Sequence, residues 1–241
     1  MSGARELWVV RLGVMPYGEA LELQRAAARA RITGAIPHDL LLLVEHEPVV
    51  TMGRSTKQQN LTASPELLAS RGVALFEVER GGDVTYHGPG QLVGYPIVDL
   101  KRHKQDLHWY LRQVEASLIG AIAHRGITGE RSAGFTGVWT RGLTGGQPHE
   151  PRKIASIGVH ARDWVTWHGF ALNVSTELSY FDLIVPCGIP GVDMTSMSRE
   201  LGATVAMRDA EDDAAIAFGE VFTLTPVEVE LSALALQAGA A

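Results

Sequence analysis

Only one cysteine, Cys187, occurs in the 241-residue chain, which excludes an intramolecular disulfide and any framework of bridged loops. Positive charge is scarce as well: 21 Lys and Arg stand against 27 Asp and Glu, for a formal net charge of −6. Lys101-Arg102-His103-Lys104 is the one dense basic run. A phosphate-binding face needs clustered cations, so no nucleic-acid role is expected. Long apolar runs are also missing. The stretch 1–14 is interrupted by Arg5, Glu6 and Arg11, so neither a signal peptide nor a membrane span is expected, and a reducing cytoplasm fits these absences.

Several chemical signatures are missing too. The nine histidines show no HExxH or paired ligand spacing, no serine sits in a GxSxG elbow, and neither GxGxxG nor GxxxxGK[ST] occurs. No metal, nucleotide or other cofactor is therefore expected. What remains is ordinary in bulk, with 46% apolar and 20% charged residues, the composition of a soluble globular protein. With no Gly-, Ser- or Pro-rich linker to divide it, the chain reads as one domain over 1–241. Its core covers about 7–222, and the Ala-rich tail over 231–241 is expected to fray.

Patterning predicts a strand over 7–15, a helix over 19–31 and a buried strand over 40–46, a β-α-β start. Ser64-Pro65-Glu66 reads as a capped helix start, with Gly72 as its stop and strand composition over 73–79. Another strand is predicted over 91–100. The clearest helix spans 107–125, where Leu107, Leu111, Val114, Leu118 and Ile122 fall on one stripe after the cap Asp106. Strands over 137–140, 153–160 and 165–174 follow, the first two joined by a hairpin loop over 142–152. The last helix, over 208–222, is expected to bury Ala210, Ala214, Ala217, Phe218 and Val221.

Four places carry potential chemistry. Between Arg80 and Gln91 lie Gly81, Gly82, Gly88 and Gly90 with Pro89, far more glycine than a hairpin requires. Such a loop either cradles a narrow ligand with Arg80, Tyr86 and His87 at hand, or is a wide connection with left-handed turns. Lys153 opens the apolar run Ile154-Ala155-Ser156-Ile157-Gly158. It is either a buried amine with a catalytic task or a solvated guard on a sheet edge. The segment 167–173 offers an apolar wall or simple core packing. Cys187, inside Pro186-Cys187-Gly188, is a nucleophile in an open loop or an inert thiol. Together, a thiol in an open loop, a lysine that burial would make usable as a base, a glycine-rich ligand loop and the apolar strands between them suggest acyl chemistry on a long apolar substrate.

Taken in order, these motifs closely resemble the lipoyl(octanoyl) transferases. The marks are Leu43-Val44-Glu45-His46 with Thr51-Met52-Gly53-Arg54, the loop from Arg80 to Gln91 with Tyr95-Pro96-Ile97, and Gly137-Val138-Trp139. They continue with Lys153 to Gly158, His168 to Asn173, and Pro186-Cys187-Gly188-Ile189 with Thr195-Ser196-Met197. Glu47 stands where that family often has proline, and the loop 141–152 is long for it. The resemblance implies an α+β fold, a mixed, mainly antiparallel sheet packed by helices, as in biotin and lipoate ligases. It implies an octanoyltransferase with an acyl-thioester at Cys187 and Lys153 as the partner that tunes it. Substrate contacts are implied from Arg80, Gly81, Gly82, Asp83, Val84, Thr85, Tyr86 and His87, from Ser156, Ile157 and Gly158, and from Gly169, Phe170 and Ala171.

The implied donor is octanoyl-acyl carrier protein. The implied acceptors are lipoyl domains of 2-oxoacid dehydrogenase complexes and the glycine cleavage H protein. Backbone N–H groups of Cys187 and Gly188 are expected to hold the oxyanion, and the run 101–104 either docks the acidic carrier or is a solvated loop. Two rivals stand beside this reading: an ATP-using ligase of the same fold, and a non-catalytic acyl-binding protein.

Overall fold

Leu40, Leu41, Leu42 and Leu43 are all fully buried, which a strand achieves only when both faces of its sheet are covered. They belong to β2 (Asp39–His46), which follows β1 (Glu6–Met15) and α1 (Tyr17–Thr33) in a crossover that leaves β1 and β2 parallel. The computed structural model describes residues 5–141, 143–144, 147–148 and 150–236. Within it follow β3 (Val49–Met52), α2 (Pro65–Ser70), β4 (Ala74–Glu77), β5 (Thr85–His87), β6 (Gln91–Ile97), α3 (Leu107–Ala123), β7 (Gly129–Glu130) and β8 (Gly137–Thr140). After these come β9 (Leu143–Thr144), β10 (Gln147–Pro148), β11 (Arg152–Arg162), β12 (Val165–Asn173), α4 (Met197–Leu201), α5 (Met207–Phe222) and β13 (Thr225–Glu228).

The main sheet has eight strands in the order β13-β1-β2-β6-β12-β11-β8-β7. Its first two pairings are parallel and the rest antiparallel, the mixed α+β architecture expected. Alternation along the strands sorts side chains into two cores. Leu7, Val9, Leu41, Leu43, Leu92, Phe170 and Leu172 face α3 and α5, while Val10, Leu40, Leu42, Val44, Val93, Tyr95 and Ala171 face α1. A smaller sheet, β4-β3-β5, packs with α2 and the segment around Phe181 to form a third cluster.

Helix boundaries follow local chemistry. Ser64 Oγ accepts the Leu67 N–H at 3.3 Å, with Pro65 in the first turn, and Asp106 accepts the Trp109 N–H at 3.0 Å, which starts α3 where a side chain can satisfy a free donor. The α3 stripe is rotated from its expected position. Leu107 is exposed and Leu111 half-buried, while Tyr110, Val114, Leu118, Ala121 and Ile122 are buried. The reason is the neighbour: α3 packs against α5 as well as the sheet, and Tyr110 fills the gap against Phe222. On α5 the buried set is Ala210, Ala214, Ala217 and Phe218 as expected, with Phe222 rather than Val221 innermost.

The short strands β3, β5, β7 and β13 were not foreseen, and the 142–152 loop itself carries the antiparallel pair β9 and β10. Residues 142, 145, 146 and 149 of that loop lie outside the described residues. In the tail expected to fray, Leu231–Leu234 forms a 3₁₀ turn and buries Leu234, and 237–241 lie outside the described residues.

Phe218, buried and stacked on Phe170 and Phe222 at centroid distances of 5.5 and 5.7 Å, joins α5 to the sheet. Phe218→Ala should destabilise the protein by about 3–5 kcal/mol, read as a lower urea midpoint with unchanged slope.

Candidate active site

Neighbouring strands supply the floor of a cavity of about 210 Å³ on the α1 side of the main sheet. Val93 of β6 is in register with Ala171 of β12, Ala171 with Ser156 of β11, and Ser156 with Gly137 of β8. Small residues along this row leave a trough where larger ones would fill the layer. The rim comes from the loop 80–87, from the turn at Gly134, Phe135 and Thr136, and from Cys187 and Ile189.

Cys187 is half-buried and holds a left-handed backbone with φ of 55°, a conformation rare for residues with a Cβ and concentrated at functional sites. Its N–H donates to Val84 O at 2.9 Å, and its Sγ lies 3.5 Å from Ser156 Oγ. Burial pushes the thiol up, but the Lys153 ammonium, the Ser156 hydroxyl and the Arg80 guanidinium together outweigh it and leave it below the ordinary cysteine value. The thiol therefore ionises more readily than an ordinary cysteine, in a site where desolvation alone would make it ionise less readily.

Lys153 is 0% exposed, and its strand lies between β8 and β12, so the edge-guard reading does not describe it. The register of β11 against β8 shifts between Lys153 and Ala155. A Cβ at Gly137 would stand 2.9 Å from Lys153 Cε, so only glycine leaves room for the lysine stem. Among the described residues Nζ has no hydrogen-bond partner. It sits 4.9 Å from the Trp139 ring centroid, and its charge acts on Cys187. An ammonium buried with so few partners is costly, and structures retain such groups most often where they serve chemistry.

The glycine-rich loop is buckled rather than loose. Arg80, buried, donates from Nη2 to Thr51 O at 2.7 Å and to Thr51 Oγ1 at 2.9 Å, and from Nη1 to Asp83 O at 2.7 Å. Gly81 N–H bonds Val159 O at 2.8 Å, and a Cβ on Gly158 would meet Gly81 O at 2.8 Å. The loop thus lies directly on β11 because Gly158 has no side chain.

Of the sites named from sequence, Arg80, Gly82, Asp83, Thr85, His87, Ser156, Ile157, Gly158, Gly169, Phe170 and Ala171 line the cavity together with Cys187 and Lys153. Gly81 lies beside it. Strand alternation turns Val84 and Tyr86 away into the third core, where Tyr86 stacks on Tyr180 at 4.8 Å. The Cys187 N–H is already bonded to Val84 O and the Gly188 N–H to Val185 O, each at 2.9 Å, so neither is the free oxyanion donor expected. Tyr17, Val93, Tyr95, the turn 134–136, His168 and Ile189 also line the cavity without having been singled out. Tyr95 and His168 were visible as motif members, whereas Tyr17 carried no signal of its own.

The run 101–104 is not a free basic patch: Lys101 faces Asp99, Lys104 lies 3.0 Å from Asp106, and the His103 side chain, itself buried, lies 2.8 Å from Asp39. Among the described residues no group of acidic, histidine or cysteine side chains could hold a metal ion, and no helix is long and apolar enough to cross a membrane.

Residues 16–219 match the family model of the lipoyl protein ligase A/B catalytic domain. A solved structure with this architecture, the bipartite lipoate protein ligase of Thermoplasma acidophilum, superposes with a TM-score of 0.72 at 16% identity, covering 96% of this chain and 91% of that one. The octanoyltransferase of Acidobacterium capsulatum is 50% identical over 223 residues, 89% of each chain. That of Myxococcus xanthus is 48% identical over 214 residues, and the match spans 89% of this chain and 59% of the longer relative. The chain belongs to the lipoyl(octanoyl) transferase family, a family of acyltransferases.

Replacing Lys153 by methionine keeps the stem and removes the cation. Burial then acts on the thiol against Ser156 and Arg80 alone, so the Cys187 pKa should rise. The inflection of iodoacetamide alkylation against pH should move upward and the rate at neutral pH fall severalfold. Superimposable profiles would show that Lys153 does not tune the thiol.

Proposed function

We propose that this protein moves an octanoyl group from acyl carrier protein to a lysine of a lipoyl domain, through a thioester on Cys187. One observation carries the reading: the chain's single cysteine stands on a left-handed backbone at the mouth of a trough floored by small residues, with its thiol held down by a buried lysine.

In the first half, the Cys187 thiolate attacks the donor thioester carbonyl, the C–S bond to the carrier breaks, and the carrier leaves as a thiol after taking a proton. The Lys153 ammonium gives that proton in this reading, and it stabilises the charge that passes from Cys187 sulfur to carbonyl oxygen to leaving sulfur. The Ser156 hydroxyl, 3.5 Å from Sγ, is a second donor facing the developing charge, since the Cys187 and Gly188 N–H groups are engaged. In the second half, Lys153, now an amine, takes the proton of the incoming lysine, whose nitrogen attacks the Cys187 thioester. An amide forms and the thiolate returns. One thioester replaces another and then becomes a more stable amide, so no nucleotide is consumed.

The apolar floor of Ala171, Gly169 and Val93 suits an alkyl chain, and the half-buried position of Cys187 lets two macromolecular partners reach it in turn. The lipoyl domains of 2-oxoacid dehydrogenase complexes and the glycine cleavage H protein are the acceptors this reading names, and a reducing cytoplasm is the compartment in which a free catalytic thiol persists.

Incubation with octanoyl carrier protein, without ATP or magnesium, should leave the protein heavier by one octanoyl group that neutral hydroxylamine removes. Added lipoyl domain should then gain that mass on a lysine. Cys187→Ala should perform neither step; transfer at the normal rate by that variant, or an absolute need for ATP, would replace the covalent route with a ligase mechanism.

A further inference from the structure

The floor of the trough has a fixed length. Ser156, beside Cys187, is two strands away from Val93 along the row through Ala171, and two strand spacings amount to about 10 Å. At the β6 end stands a wall of rings. Tyr17, the first residue of α1, packs on His46 with centroids 5.2 Å apart, and His46 on Tyr95 of β6 at 5.9 Å.

The wall is fastened from behind. His46 Nε2 and the Tyr95 hydroxyl are 2.6 Å apart, and His46 Nδ1 lies 2.8 Å from Met15 O. His87, stacked on Tyr17 at 5.9 Å, is held through Nδ1 by Gln91 at 2.8 Å, and Gln91 Nε2 donates to Asn173 Oδ1 at 2.9 Å. Phe76 supports Tyr17 at 5.3 Å from outside the trough. Burial lowers His46 to about 4 and His87 to about 3 and raises Tyr17 to about 12, so none of the three carries charge at neutral pH. The rings at the end of the trough are uncharged and braced on several sides, with the Arg80 guanidinium near enough to act on Tyr17 and Tyr95.

We propose that Tyr17, braced by His46, His87 and Phe76, is the residue that limits the acyl chain to about eight carbons. This rests on the thioester reading above and adds to it a specificity-determining residue. Seven C–C bonds of about 1.5 Å, laid in a zigzag, reach about 9 Å, which matches the length of the floor. Two more methylenes add roughly 2.5 Å and must enter the space of the Tyr17 ring. A close-packed, hydrogen-bonded layer does not yield that space cheaply.

The test loads Cys187 from carrier proteins bearing C6, C8, C10 and C12 chains and follows acyl-enzyme formation by intact mass for wild type, Tyr17→Phe and Tyr17→Ala. Wild type and Tyr17→Phe should prefer octanoyl to dodecanoyl by roughly tenfold or more, because the ring is present in both. Tyr17→Ala should lose at least tenfold of that ratio through faster loading of C10 and C12. If alanine unfolds the protein, Tyr17→Leu is read in the same way. A folded Tyr17→Ala protein with the wild-type ratio overturns the proposal, as does a shift in Tyr17→Phe equal to that of alanine. Absence of loading by every chain in wild type is a different result: it removes the thioester reading, and this inference with it.

Discussion

A single buried ammonium organises this molecule. Lys153 Nζ has no hydrogen-bond acceptor among the described residues and sits over the Trp139 ring, an arrangement that costs stability unless an anion is near. The group on which its charge acts is the Cys187 thiol, whose pKa it lowers. Much of the local architecture surrounds this pair: the register shift that follows Lys153, the bare Gly137 beside its stem, and the parallel bridge from Lys153 to Met194. That bridge ties the segment after Cys187 to β11.

Chemistry that the residues announce locally was legible in the sequence. A lysine in an apolar run and a cysteine between proline and glycine are both expensive or unusual placements, and both point to the same cavity. The β-α-β opening, the antiparallel block from β8 to β12 and the five α-helices follow from periodicity and caps, apart from α4, whose five residues are too few to show a period. Strands such as β5, of three residues, fail for the same reason.

What stayed hidden depends on contacts between distant segments. Tyr17 reaches the trough only because α1 crosses back over β6 and β12, and nothing in its neighbours Pro16 and Gly18 reveals that. The engaged N–H groups of Cys187 and Gly188 are equally invisible, since one acceptor, Val84 O, lies about a hundred residues away in sequence. The loop 80–91 read correctly as a backbone brought close to something. Its rigidity did not, because Arg80 is fastened by Thr51, on a strand too short to detect.

The trough lies inside the layer where the sheet meets α1, among side chains that elsewhere form continuous core. Ala171 belongs to that core, and its neighbours along the row are serine, valine and glycine, so this protein keeps a gap in its own interior. In the proposed cycle the gap is closed from outside. An octanoyl group esterified to Cys187 becomes, for the lifetime of the intermediate, one more aliphatic side chain of the core, supplied by the donor. Each turnover is then also a repacking of the interior, and the acceptor that removes the chain leaves the enzyme in its more loosely packed form.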